Sequence, residues 1–101
     1  MTRDSDTAIA VSDPFARHLM AQYLERREQD FKAIGTALAE SDFAAIEAIG
    51  HKLRGSGSAY GLDEVTRLGW ELEKAAQAED SVVIADRMSE LQSYVHHLKL
   101  A

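Results

Sequence analysis

The sequence predicts an all-α protein, an antiparallel up-down-up-down four-helix bundle. Three observations predict it. Apolar residues recur at spacings of three and four along nearly the whole chain. No segment alternates with period two, and no Asn-Gly or Asp-Gly hairpin turn occurs. The links between the apolar stripes are short, which makes consecutive helices antiparallel neighbours.

The first helix starts at Asp13-Pro14, an N-cap oxygen followed by a residue whose missing N–H costs nothing there. Its stripe runs through Phe15, Leu19, Tyr23, Phe31, Ile34 and Leu38, with Glu25, Arg26, Arg27, Glu28 and Asp30 read as a solvated face. A second stripe follows Ser41-Asp42 with Phe43, Ile46, Leu53 and Tyr60, and Gly61 marks the break after it. The third runs through Leu62, Val65, Leu68, Leu72, Ala75 and Ala76 and fades at Ala78-Glu79-Asp80. Ser81 is expected to cap the fourth, which carries Ile84, Met88, Leu91, Val95 and Leu98. The first dozen residues form either a short arm or an extra helix across the bundle.

Composition narrows the function. A chain of 101 residues suits one domain, taken as 1–101, and 46% hydrophobic residues support a core. With no cysteine there is neither a disulfide framework nor a thiolate metal site. A net charge of -6 disfavours nucleic acid, which selects a basic face. No apolar run approaches a membrane span and the N-terminus lacks a signal-peptide pattern, so a soluble cytoplasmic protein is expected. The initial Met1 favours a freestanding chain.

The second helix breaks a bundle's rules. Gly50, Gly55 and Gly57 lie inside it, each costing about 1 kcal/mol relative to alanine. Such a local conflict points to close packing or function. At 100° per residue, His51 lies roughly 160° from Leu53 and roughly 140° from Ile46. With those two in the core, His51 faces away from it. Its neighbours on the wheel are Ala44, Glu47, Ala48, Arg54, Gly55 and Ser58. Small residues thus surround an exposed imidazole and let another protein's surface come close.

A neutral imidazole is a nucleophile at physiological pH, so one ring nitrogen can accept a phosphoryl group. The other needs an acceptor to fix its tautomer, and Glu73 or Glu71 of the next helix can supply one. Arg54 and Lys52 can balance phosphoryl charge, Arg54 from the same face and Lys52 from about 100° away. Gly55-Ser56-Gly57-Ser58 is not a nucleotide loop, because it lacks the required spacing and a preceding strand. His96-His97 do not converge as metal ligands and suit a helix C-terminus. Trp70 is read as packing or a bundle edge.

The run from His51 through Leu53, Arg54, Gly55 and the small residues to Tyr60-Gly61 resembles the signature of histidine-containing phosphotransfer (HPt) domains. Leu62 and Leu72-Glu73 are similar to that family's third helix, and Asp13-Pro14 and Tyr23-Leu24-Glu25 to its first. The resemblance implies phosphorelay signalling, with His51 phosphorylated and Arg54 in place of the usual lysine. It implies that Gly55 leaves room for the partner and that Glu73 holds the imidazole. The implied partners are a response-regulator receiver domain, which brings Mg²⁺ and an aspartate, and a hybrid or sensor histidine kinase. The module itself would need no metal or nucleotide and would be a phosphoryl carrier without autonomous kinase activity. The expected docking surface combines Ala44, Glu47, Ala48, Gly55 and Ser58 with Phe15, Leu19 and Met20. The alternatives are a bundle that binds a response regulator without chemistry, and a histidine-kinase dimerisation segment. Four helices per chain favour a monomer over the latter.

Overall fold

The computed structural model describes residues 13–100, and the arm or extra helix expected for the first dozen residues lies outside them. Four helices follow in order: α1 Pro14–Ala39, α2 Phe43–Ala59, α3 Asp63–Gln77 and α4 Ser81–Leu100. Each touches its two neighbours in a closed ring and none touches its diagonal. This is the expected all-α antiparallel bundle, without strands among the described residues.

Each link is three residues long and is built in the same way. The residue after the C-cap, Ser41, Gly61 or Glu79, turns left-handed at φ 55°, 70° or 54°. The next amide then reaches back to close the helix: Asp42 N–H to Ala37 O, Leu62 N–H to Gly57 O and Asp80 N–H to Ala75 O, at 2.7–2.9 Å. This double use of the chain end satisfies carbonyls that a helix terminus leaves unpaired. Asp42 and Asp80 then serve the following helix, their carboxylates accepting from Ala45 N–H and Val83 N–H. The cap of α4 is therefore Asp80, not Ser81, which is its first helical residue. The carboxylate three residues before Val83 has the reach and the stronger acceptor.

Ile34, Ile46, Leu53, Leu68, Leu72, Ile84, Leu91 and Val95 are fully buried at the centre. The expected solvated face of α1 needs correction at two positions, because Arg27 and Asp30 are buried. Positions 23, 27 and 30 share the helical face that meets α2, so the backbone period overrides the residue type. Arg27 Nε lies 2.8 Å from Asp30 Oδ2, and its guanidinium stacks 4.1 Å over the Tyr23 ring. Tyr23 in turn stacks on Tyr60, the C-cap of α2, and its hydroxyl meets Ser56 Oγ at 2.9 Å. The pairing gives the buried charges partners, which burial demands.

Candidate functional site

The α2–α3 contact is the tightest between helices among the described residues, and glycines make it so. A β-carbon on Gly50 would fall 2.7 Å from Glu73 N and 2.8 Å from Gly69 O. One on Gly57 would fall 2.6 Å from Thr66 N, and one on Gly69 would fall 2.6 Å from Arg54 N. Backbone packs on backbone along two turns. Gly50 and Gly57 therefore serve packing against α3. Gly55 does not, because a β-carbon there meets nothing within 4 Å. Polar stitches continue the seam: Thr66 Oγ1 donates to Arg54 O at 3.1 Å, and Gln77 Nε2 donates to Glu47 Oε2 at 2.9 Å.

This close approach carries Glu73 to His51. His51 Nδ1 lies 3.2 Å from Glu73 Oε2. Arg54 Nη2 lies 3.2 Å from the same ring nitrogen, and Arg54 Nη1 lies 3.3 Å from Glu73 Oε1. The three side chains grade from outside inward: 65% exposed for His51, 38% for Arg54 and 13% for Glu73. Glu73 Oε1 is buried and lacks a well-directed hydrogen bond, so the guanidinium beside it is its only compensating charge among the described residues.

The two contacts on Nδ1 are alternatives. A ring with hydrogen on Nδ1 donates to the Glu73 carboxylate, and Arg54 then answers Glu73 alone. A ring without it accepts from Arg54 and faces the carboxylate lone pairs. The first arrangement pairs every group with its complement and leaves a lone pair on Nε2. Both contacts fall on Nδ1, so Nε2 is the nitrogen left facing outward on an exposed ring.

Ala44, Ala48, Gly55 and Ser58 lie exposed around His51, and Glu47, one turn before His51, is half-buried and tied to Gln77 of α3. The other expected groups lie elsewhere. Lys52 points to the α1 side, its Nζ 3.9 Å from Asp30 Oδ1. Glu71 joins α3 to α4 through Arg67 and Arg87. Phe15, Leu19 and Met20 sit on the first turns of α1, beyond Tyr23, the residue that meets the end of α2. Sequence reading missed Gly69, Thr66 and Gln77. Gly69 carried the same signal as Gly50, an interior glycine in a helix, whereas Thr66 and Gln77 are ordinary helix-surface residues with no such mark.

A closed bundle in which an exposed histidine is backed by a largely buried carboxylate and a guanidinium defines a helical histidine module. The chain belongs to the Hpt domain family, whose pattern it matches over residues 18–101. Histidine phosphotransfer in a phosphorelay is thereby its function class. Neither the curated proteins nor the solved structures compared with the chain gave a match. No helix among the described residues is long and apolar enough to cross a membrane.

Proposed function

We propose that His51 carries the phosphoryl group, on Nε2, and exchanges it with the aspartate of a response-regulator receiver domain. The observation that carries this reading is the Nδ1–Glu73 contact on an otherwise exposed ring. The Nε2 lone pair attacks phosphorus of the aspartyl phosphate. The N–P bond forms as the P–O bond to the aspartate breaks, and the carboxylate leaves with that electron pair. The ring keeps its Nδ1 hydrogen, so the product is a phosphoimidazolium whose positive charge faces Glu73. No proton has to move, and the reverse transfer retraces the same path.

Arg54 supports both states in this reading. It neutralises Glu73 at rest and has further N–H groups to turn toward phosphoryl oxygens, in the planar fork that suits them. The partner brings Mg²⁺ to its own aspartate. Ala44, Ala48, Gly55 and Ser58 leave the space in which that partner settles. A hybrid or sensor histidine kinase stands upstream in the same scheme. One chain closes its own core, which supports a monomeric carrier.

Incubation with a receiver domain charged by acetyl phosphate tests the reading. The chain should acquire an acid-labile, base-stable phosphoryl group. His51→Gln should abolish labelling and keep the helical circular dichroism. Labelling that survives the substitution overturns the assignment, and binding indifferent to it would point instead to a non-catalytic interaction module.

A further inference from the structure

Trp70 is the only tryptophan of the chain, and it stands 46% exposed on α3. Its position relative to His51 follows from the α2–α3 register. Gly69 packs against the backbone of Arg54 and the two helices run antiparallel, so Trp70 stands level with Leu53. That is two residues, ~3 Å along the axis, from His51. On α3 the row facing α2 is Thr66, Gly69 and Glu73, with core residues Leu68 and Leu72 to one side of it and Trp70 to the other. On α2 the row facing α3 is Gly50 and Gly57, with core residue Leu53 to one side and His51 to the other. His51 and Trp70 therefore project from the same outer face of the α2–α3 pair. The Lys74 ammonium lies 5.4 Å from the Trp70 ring centroid and adds a cation to that edge.

The other exposed large apolar side chains are farther away. The contacts Tyr23–Ser56 and Asp30–Lys52 place His51 level with Asp30 on α1. Leu19 and Phe15 are then ~17 Å and ~23 Å away along the axis. Val82 lies at the start of α4, the helix diagonal to α2, and Leu100 at its end. A protein interface of ordinary size covers roughly 800 Å² per partner, a disc of ~16 Å radius. A partner centred on His51 covers Trp70, while the apolar first turns of α1 fall at or past its rim.

We propose that Trp70, flanked by Lys74, is the aromatic anchor of the surface on which a receiver domain docks to present its aspartate to His51. The proposal rests on the reading of His51 given above and places much of the footprint on α3. An exposed indole beside a reactive centre is the type of residue that dominates interface energy once it is desolvated. The receiver is expected to answer it with an apolar pocket rimmed by carboxylates that meet Lys74.

The test uses a receiver domain charged with acetyl phosphate and follows transfer to the chain. Trp70→Ala should raise KM about tenfold or more and leave kcat within about twofold, the pattern of lost docking rather than lost chemistry. Trp70→Phe should recover most of the loss, and Val82→Ala should change neither constant. With a His51→Gln chain, adding the uncharged receiver should shift Trp70 emission to the blue. An unchanged KM in Trp70→Ala, with His51 still labelled, overturns the anchor and leaves the carrier reading intact. Failure of wild type to be labelled by any of a panel of charged receivers overturns the carrier reading, and the anchor falls with it.

Discussion

Gly50 lies against the backbone of Glu73, so close that a β-carbon on it would fall 2.7 Å from the Glu73 amide nitrogen. Glu73 is the residue whose carboxylate meets His51, the next residue after that glycine. The missing side chain thus sets the depth at which α3 sits and the reach of its carboxylate. Gly50→Ala is expected to cost about 1–3 kcal/mol by overpacking, with a fall in melting temperature of roughly 4–8 °C per kcal/mol. Gly69→Ala should act alike from the other side of the seam. Gly55→Ala should do the reverse and stabilise by about 0.4–1 kcal/mol, since its site is open and helical. Thermal melts of the three variants check the sign at each position.

Removing the Glu73 carboxylate should slow transfer without unfolding the bundle. A hydrogen bond to a charged group is worth about 1.5–3 kcal/mol, so Glu73→Ala should lower the transfer rate roughly 10- to 100-fold. Glu73→Gln keeps an acceptor for Nδ1 and should lose less. Single-turnover transfer from a charged receiver reads the difference. Equal losses in both variants would mean that charge, rather than tautomer control, is what Glu73 supplies.

Arg27 and Asp30 form a buried pair whose Nε, Nη1 and Oδ2 atoms have no well-directed hydrogen bond. Deleting one partner strands the other. Asp30→Ala should therefore destabilise by about 3–5 kcal/mol, and the apolar double replacement Arg27→Met with Asp30→Leu by clearly less. Urea midpoints of the single and double variants make the comparison.

Acid should loosen the α3–α4 side. Hydrogen bonds from Arg67 hold the Glu64 carboxyl below its ordinary value of 4.5. Those from Arg87, and next from Arg67, do the same for Glu71. A carboxyl with a lowered folded-state pKa contributes stability above its unfolded value and loses it as pH falls through the folded one. Stability should thus decline from about pH 4.5 downward. These side chains are substantially exposed, so each contributes about 1 kcal/mol or less, and added salt should reduce it. Melts of wild type and Arg67→Ala between pH 6 and pH 3 should converge at the acid end.

Much was legible in the sequence because helical period reports burial directly. The four helices, their antiparallel order and the outward direction of His51 all follow from apolar spacing and short links. Arg54 and Glu73 stood out from residue type and from the family's pattern. Charged residues on α1 are not legible where period and type conflict: Arg27 and Asp30 have the spacing of a buried face and the chemistry of a solvated one. Only an aromatic stack from Tyr23 and Tyr60 and a mutual ion pair reconcile the two.

The sequence by itself determined the bundle and the outward direction of His51, since both depend on which face of one helix meets oil or water. Tertiary structure alone decided what surrounds that imidazole. Interior glycines read as a single group divide into Gly50 and Gly57, pressed on α3, and Gly55, open beside His51. Lys52, next to His51 in the chain, belongs to a different interface, whereas Glu73, far along it, touches the ring. The physical reason is register: the depth and offset at which two helices pack are set by both surfaces together. No single stripe of sequence contains that information.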